Sequence, residues 1–320
     1  MTYVIYATVR TPEVPERPVL DSRRIWLESL DGTQQIDFPT DRRTRRLRLL
    51  RGMQGAGVPP IDLTTGVVPG TAGGFVEDVT TAARPMLLPF AVRTRDQAQQ
   101  WEAVQALRDL TDPTKGMTRD GNFRLVCSSA SGVRQLTLAY RSGLEGHDLA
   151  NPRYDELVLD VVAMDPFARD REERSLEFFL GTGAPFLDGP AGAGGLWGSI
   201  GLAPSTVIGE GMAVAMDSTI PFYPTISITG PADSVLITAD SGLRIDVPAG
   251  VPAGSTLVIV TDPRGKSTRL DGALAAGRVA RGSLYRPFVP GTNVIDVTAP
   301  GATSATRLAL SWRGGYRSLW

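Results

Sequence analysis

The stretch from Tyr154 to Arg169 most constrains what this chain can fold into, because it has the pattern of a β-strand that stops at a proline. Positions 157, 159, 161 and 163 are all apolar and alternate with a more polar set, which is the period of a half-buried strand. Pro166 cannot donate a ladder hydrogen bond, and the run from Arg169 to Arg174 is too charged for an apolar core. We therefore predict a domain junction at Asp165, Pro166 and Phe167.

The length of the chain, 320 residues, exceeds most single cores and favours two domains. Strands mixed with one helix precede the junction, whereas only strands and turns follow it. The predicted fold class is an α+β domain at residues 1–168, β-rich with one helix, followed by an all-β sandwich at residues 169–320.

Charge and cysteine content exclude several classes of protein. The chain has 33 Lys and Arg against 34 Asp and Glu, so its formal net charge of −1 provides no overall attraction to nucleic acid or an anionic membrane. Its one cysteine, Cys127, excludes an intramolecular disulfide. The first residues lack the pattern of a signal peptide, and no apolar run reaches the roughly 18 residues of a membrane-spanning helix. We expect no membrane insertion.

Local patterns predict the main elements of the first domain. A helix begins at Thr94, with Gln97 as a capping-box partner, and its apolar arc includes Trp101, which we expect to pack on a sheet. Turn dipeptides predict hairpins across Asp31-Gly32 and Ser131-Gly132. From Thr206 onward, short strands recur between turns, which indicates two antiparallel sheets.

Three features of the first half are candidate sites of contact with a partner protein. An arm runs from Thr2 to Pro18, and a Gly/Pro-rich excursion runs from Gly52 to Gly74, which is too long for an ordinary loop. Between them lies a cluster of arginines around three leucines. Its members are Arg42, Arg43, Arg45, Arg46, Arg48 and Arg51.

The arginine cluster has two interpretations. It is either a basic strip that faces DNA or the carboxylates of a neighbouring subunit, or the solvated face of a strand. Nucleic-acid grooves usually interleave stacking aromatics with basic residues, and none is interleaved here. We take the six arginines as a candidate assembly interface.

The sequence contains no complete catalytic or cofactor-binding motif. Gly265-Lys266-Ser267-Thr268 resembles the end of a phosphate-binding loop, but the required earlier glycine is replaced by Val260, and a turn explains the string better. His147, the single histidine, lies in a polar loop. Neighbouring acids such as Asp155 and Glu156 would point to opposite faces of a strand. We therefore expect no enzyme, no metal site and no cofactor.

Short motifs in order along the chain resemble the distal tail proteins of siphophages. Arg84-Pro85-Met86-Leu87-Leu88-Pro89 precedes the run from Tyr140 to Gly146, which precedes the strand that ends in Asp165-Pro166-Phe167. The run from Phe288 to Asn293 and the closing Ser311-Trp312-Arg313 resemble the galectin-like C-terminal domain of that family. The resemblance covers most of Phe75 to Trp320.

This resemblance implies a structural virion protein of a long-tailed phage. N-terminal belt domains would close into a sixfold ring, a homohexamer, beneath the tail tube protein, with DNA only in transit through the lumen. The galectin-like domains would project outward and hold receptor-binding proteins beside the tail tip hub protein in the baseplate. Such a minor tail protein is made in the host cytoplasm and ends in the virion.

A second hypothesis, from another class, is a carbohydrate-binding module that acts in host-surface adhesion. A galectin-like sandwich can bind sugars on an aromatic platform, and the second half is rich in aromatic residues. These are Trp197, Tyr223, Tyr285, Trp312, Tyr316 and Trp320. Their positions at strand ends do not place them on one face.

Overall fold

The chain divides into two compact units, each built from two stretches of sequence. The computed structural model describes residues 5–10, 24–38, 47–70, 72–145, 153–180 and 207–320. The N-terminal unit comprises Glu16–Glu172 and Gly315–Trp320, and the C-terminal unit comprises Met1–Pro15 and Glu173–Gly314.

The described strands are numbered in chain order, with one α-helix among them. They begin with β1 (Ile5–Arg10), β2 (Arg24–Ser29), β3 (Gln35–Phe38), β4 (Leu47–Leu49), β5 (Ile61–Gly66), β6 (Phe75–Thr81) and β7 (Arg84–Arg93). The helix α1 (Gln97–Thr111) is followed by β8 (Phe123–Ser129), β9 (Gly132–Gly143), β10 (Tyr154–Ala163), β11 (Ala168–Asp170) and β12 (Arg174–Leu180). The remaining strands are β13 (Val207–Met216), β14 (Thr225–Thr229), β15 (Val235–Ala239), β16 (Arg244–Val247), β17 (Thr256–Val260), β18 (Ser267–Leu270), β19 (Ala273–Leu274), β20 (Gly291–Thr298), β21 (Arg307–Trp312) and β22 (Gly315–Tyr316).

The N-terminal unit is organised around a nine-stranded sheet of its described residues. Seven strands follow the order β3-β2-β8-β9-β10-β7-β4, and the short strands β11 and β22 are attached beside β9. In β10 the predicted alternation is confirmed, because Leu157, Leu159 and Val161 are buried while Glu156 and Val158 are exposed. Both predicted hairpins are present as the antiparallel pairs β2–β3 and β8–β9.

Helix α1 covers the core face of this sheet. Val104, Leu107 and Leu110 are buried and join the same hydrophobic cluster as the inward side chains of β7 to β10. The helix begins later than predicted, because Asp96 is the N-cap and its carboxylate accepts a hydrogen bond from the amide of Gln99 at 2.9 Å. The predicted capping box at Thr94 and Gln97 is therefore wrong.

The C-terminal unit contains two antiparallel sheets that share one hydrophobic core. The order of the first is β1-β12-β21-β14-β17-β18-β19, and that of the second is β13-β20-β15-β16. Ile226, Ile259 and Leu310 from the first sheet are fully buried in the same cluster as Ile237 and Ile295 from the second. The recurring strands predicted after Thr206 are confirmed, and the described chain as a whole is β-rich with one helix.

Strand pairing places two terminal segments differently from the sequence-based division at residue 168. Strand β1 pairs with β12 over six residues, from Ile5 opposite Leu180 to Arg10 opposite Ser175, so it extends a sheet of the C-terminal unit. Strand β22 pairs with β11 in the N-terminal unit. The main passage of the chain, between Glu172 and Glu173, lies close to the expected boundary.

The connection around β11 is held by ion pairs, although its charge suggested an exposed linker. Ala168 is fully buried, and Arg169 donates two hydrogen bonds to Oδ2 of Asp165, at 3.0 and 2.9 Å. Nη1 of Arg171 lies 2.6 Å from Oε2 of Glu28. The expectation that the run from Arg169 to Arg174 stays out of the core is met, because none of its residues is fully buried, and carboxylates of the N-terminal unit pair with Arg169 and Arg171.

Glu28 is the centre of this charge arrangement. Its side chain is only 3% exposed, and it also accepts a hydrogen bond from Nε1 of Trp26 at 3.1 Å and lies 3.5 Å from Arg124. Burial by itself would raise the pKa of Glu28, but the bonds from Arg171, Trp26 and Arg124 outweigh it and hold the pKa below its ordinary value. The carboxylate therefore stays ionised and holds Arg171, close to the point where the chain leaves the N-terminal unit.

Replacing Glu28 with Gln should destabilise the N-terminal unit by about 2 kcal/mol near neutral pH, because charge-assisted hydrogen bonds become neutral ones. A carboxylate with a lowered folded pKa contributes stability above its unfolded pKa, and this contribution disappears as pH falls through the folded pKa. The difference between wild type and variant should shrink as the pH falls below the ordinary Glu pKa of 4.5. Chemical denaturation as a function of pH measures it.

Asp37→Asn is the matched control, because Asp37 forms an ion pair with Arg24 at the surface. The Arg24 side chain is 54% exposed and the Asp37 side chain is 41% exposed. Exposed pairs contribute at most about 1 kcal/mol, so this variant should unfold almost like the wild type. A Glu28→Gln penalty that is equally large in acid would contradict the assignment of its cause to the carboxylate.

Candidate assembly surface

The described residues provide no obvious centre for chemistry. None of their His, Cys, Asp and Glu side chains form a group of three or more that could hold a metal ion. In the part of the chain that the structure describes, no helix is long and apolar enough to cross a membrane. Cys127 is buried in the sheet core. The predicted loop residue His147 lies outside the described residues.

The most unusual surface is the hairpin formed by β5 and β6, which lies within and just beyond the predicted Gly/Pro-rich excursion. These two strands form a separate two-stranded sheet, and every residue of both strands is exposed except the half-buried Gly66. Isolated two-stranded hairpins are at best marginally stable in water. The excursion thus contains one strand of this hairpin, β5, and the second strand, β6, begins directly after it.

One face of this hairpin is apolar. The register pairs Leu63 with Val79 and Ile61 with Thr81, and a bulge after Thr64 brings Val76 opposite Thr65 on the same face. The large side chains of this face are about half exposed: Ile61 49%, Leu63 57%, Val76 53% and Val79 57%. A contiguous exposed apolar face on a folded unit is typical of a protein–protein contact.

The opposite face of the hairpin carries two carboxylates and the half-exposed Phe75, which pairs with Gly66. Asp62 pairs with Thr80 and Thr64 pairs with Asp78, so both carboxylates point away from the apolar face. Between positions 58 and 81 the sequence contains Asp62, Glu77 and Asp78 but no Lys or Arg. A partner that covers this hairpin would be expected to present basic side chains.

The base of the hairpin is tightly closed against the main sheet. The amide of Ala82 donates to the carbonyl of Pro60 at 3.1 Å, and the amide of Gln54 donates to the carbonyl of Leu87 at 3.0 Å. Gly55 has a φ of +81°, and a Cβ there would lie 2.3 Å from the carbonyl oxygen of Pro85. Only glycine fits this approach, so the backbone at Gly55 lies in close contact with Pro85 although the hairpin itself is exposed.

Two of the six predicted interface arginines fall within the described residues. Arg42, Arg43, Arg45 and Arg46 lie outside them. Arg48 is exposed in β4, the last strand in the order of the main sheet, and Arg51 is exposed in the turn that follows. No ion pair joins either side chain to a described residue, so both charges remain available at the sheet edge.

The predicted junction residues take part in the N-terminal unit and do not mark its end. Asp165, Pro166 and Phe167 are half-buried, and Asp165 accepts a hydrogen bond from the Phe167 amide at 3.3 Å as well as those from Arg169. The chain leaves the unit after Glu172.

Trp101 is exposed, contrary to expectation. The buried stripe of α1 passes through Gln100, Ala103, Val104 and Leu107, and Trp101 lies beside it with 55% of its surface accessible. The guanidinium of Arg108 lies 5.9 Å from the centre of its ring. The neighbouring alanines made the apolar arc seem wider than the buried stripe is, which is why the sequence placed Trp101 in the core.

The aromatic residues of the sugar-binding hypothesis do not form a platform in the described part of the chain. Trp312 is buried and stacks on Phe222 with ring centres 6.0 Å apart, while Tyr316 is buried in the N-terminal unit. Trp320 packs against that same core, and Tyr223 and Tyr285 are half-buried. Trp197 lies outside the described residues.

Comparison with known proteins relates this architecture to phage tails. The Dit protein of phage SPP1, described as a paradigm of the hub adsorption apparatus in phages that infect Gram-positive bacteria, matches over 90% of this chain and 98% of its own, with a TM-score of 0.59 and 14% identity. A chain of the phage p2 baseplate in its activated conformation with Sr matches over 91% and 98%, with a TM-score of 0.52 and 10% identity. No protein-family model and no curated protein matches the sequence.

The fold is therefore that of phage hub and baseplate proteins. The resemblance to siphophage distal tail proteins that the sequence motifs indicated is confirmed at the level of the fold.

Because the apolar face of the hairpin contacts no core, Leu63→Ala should change the free energy of unfolding by less than about 0.5 kcal/mol. Leu157→Ala, at a buried position of β10, should cost about 2 to 5 kcal/mol. Chemical denaturation of the two variants at a protein concentration too low for self-association compares them. Equal penalties would show that Leu63 packs inside the isolated chain.

Proposed function

We propose that this chain is a distal tail protein, a structural and non-enzymatic component that forms a ring between the tail tube and the tail tip or baseplate of a long-tailed phage. The fold shared with the SPP1 Dit protein, which is itself described as part of a hub, supports this role. In this proposal the chain is made in the host cytoplasm and becomes part of the virion, and DNA meets it only in transit through the ring.

The observation that carries the proposal is the exposed β5–β6 hairpin. A hairpin with one apolar face and two carboxylates on the other needs a partner that offers apolar contact and positive charge. The exposed Arg48 and Arg51 at the edge strand β4 supply such charge on another part of the same unit. When one surface of a protein fits a different surface of its copy, the contact repeats head to tail, and it closes into a ring when the repeated rotation completes a full turn.

The two units would then have separate roles. The N-terminal unit, which corresponds to the predicted ring-forming or belt domain at residues 1–168, would form the sixfold ring beneath the tail tube protein. The C-terminal unit, which corresponds to the predicted domain at residues 169–320, would be the galectin-like sandwich. Its two sheets with a shared core are what such a sandwich requires. It would hold the hub protein and receptor-binding proteins.

Charge reversal tests the head-to-tail contact. Asp62→Lys with Asp78→Lys should weaken self-association by about tenfold or more, and Arg48→Glu with Arg51→Glu should do the same, because like charges then meet at the contact. Combining all four changes should restore much of the association, since the charges are exchanged and not removed. Light scattering as a function of concentration measures the oligomer, and electron micrographs show whether it is a ring.

Asp240→Lys, a reversal at an exposed residue of the C-terminal unit, controls for the change in net charge. It should leave the oligomer intact. Rings that are unaffected by either charge pair would remove the hairpin from the contact, and a wild-type chain that stays monomeric at every concentration would contradict the ring itself.

A further inference from the structure

The last six residues of the chain bind across the base of the exposed hairpin. Gly315–Trp320, here called the tail segment, belongs to the N-terminal unit, although the whole C-terminal unit precedes it in the sequence. Leu319 is fully buried and Tyr316 is 5% exposed, and both lie in the core cluster of the N-terminal unit. The tail segment is thus an integral part of that core.

Two hydrogen bonds connect the tail segment to the two ends of the hairpin. The amide of Leu319 donates to the carbonyl of Ala56 at 3.2 Å, and Ala56 lies just before β5. Nη2 of Arg84 donates to the carbonyl of Arg317 at 2.5 Å, and Arg84 lies just after β6. The tail segment therefore holds the entry and the exit of the hairpin at the same time.

The bond from Arg84 is hard to replace. Arg84 is fully buried, and its Nε and Nη1 have no hydrogen-bond partner among the described residues. Burial lowers the pKa of Arg84 to about 10, while the charge of Asp165 acts in the opposite direction. Removing the acceptor of a buried charged donor leaves that donor unsatisfied, and this costs more than the bond itself contributes. Without the Arg317 carbonyl, Arg84 would either open the base of the hairpin or remain unsolvated.

The other contacts of the tail segment connect it to the main sheet. The guanidinium of Arg134 lies 3.8 Å from the centre of the Tyr316 ring and donates to the carbonyl of Ser318 at 3.3 Å. The hydroxyl of Tyr316 donates to Asp170 at 3.2 Å, and β22 pairs with β11. Main sheet, tail segment and hairpin base form one continuous set of contacts.

We propose that the tail segment is a strap that fixes the base of the β5–β6 hairpin, so that this surface becomes ordered only after the entire C-terminal unit has been synthesised. The Arg84–Arg317 bond joins residues 233 positions apart. An incomplete chain would have the hairpin sequence but not the strap, and its apolar face would not be held in place for a copy. The control of ring formation by the strap rests on the proposed function, whereas the ordering of the hairpin base does not.

Hydrogen exchange of the full chain and of a chain that ends at Gly314 tests the strap. Removing the tail segment should speed amide exchange at Gln54, Ala82 and β11 by at least about tenfold, because the segment that holds the hairpin base and pairs with β11 is lost. Exchange in β14 and β17 of the C-terminal unit should not change. A synthetic peptide of sequence Gly-Tyr-Arg-Ser-Leu-Trp, added in excess, should restore the slow exchange.

Point variants keep the test valid if the shortened chain fails to fold. Leu319→Ala and Arg84→Met should each speed exchange at the hydrogen-bonded amides of Gln54 and Ala82. Arg317→Ala should not, because the carbonyl of Arg317 is the acceptor and its side chain is exposed. Unchanged exchange at Gln54, Ala82 and β11 in the shortened chain, or at Gln54 and Ala82 in both Leu319→Ala and Arg84→Met, would overturn the strap.

Assembly provides a separate measurement. If the full chain forms rings, the shortened chain should form them only after the peptide is added, and rings of the shortened chain alone would overturn the coupling between strap and assembly. A full chain that never forms rings contradicts the proposed function. The exchange experiment would still decide whether the strap orders the hairpin base.

Discussion

Pairing between strands from distant parts of the chain is the constraint on which both units depend. A strand edge left open presents unpaired amides and carbonyls that must find other partners. Strand β1 covers one edge of β12, and β22 covers one edge of β11. The C-terminal unit therefore includes β1 from the start of the sequence, and the N-terminal unit includes β22 from its end. Neither unit is a single continuous stretch.

The same arrangement explains how one surface can be exposed and yet ordered. No described segment covers the β5–β6 hairpin, but its base is closed by Gly55 against Pro85 and held by the tail segment. A surface that is rigid before it meets its partner loses less conformational freedom on binding. An unsupported hairpin of the same sequence would have to order itself and bind in one step.

The arginines of the N-terminal unit divide into two groups by their surroundings. Arg169 and Arg171 meet Asp165 and Glu28 within the unit, so they contribute to its fold. Arg48 has no such partner among the described residues and lies at a sheet edge. Sequence alone does not separate these groups, because a run of arginines looks the same whether or not carboxylates from distant strands reach it.

The sequence by itself determined the elements whose signal is local. The alternation in β10, the two hairpin turns and the regular strands after Thr206 follow from side-chain period and turn chemistry, and all are present. Only the tertiary structure decided which strands are neighbours: the partner of β1, the return of the tail segment and the pairing of Arg171 with Glu28. Trp101 was misplaced for a related reason, since helical period identifies an apolar arc but not which part of it a sheet covers. A strand pattern specifies which face is buried, whereas backbone hydrogen bonds at its edges are the same for every sequence, so the choice of neighbour depends on the whole chain.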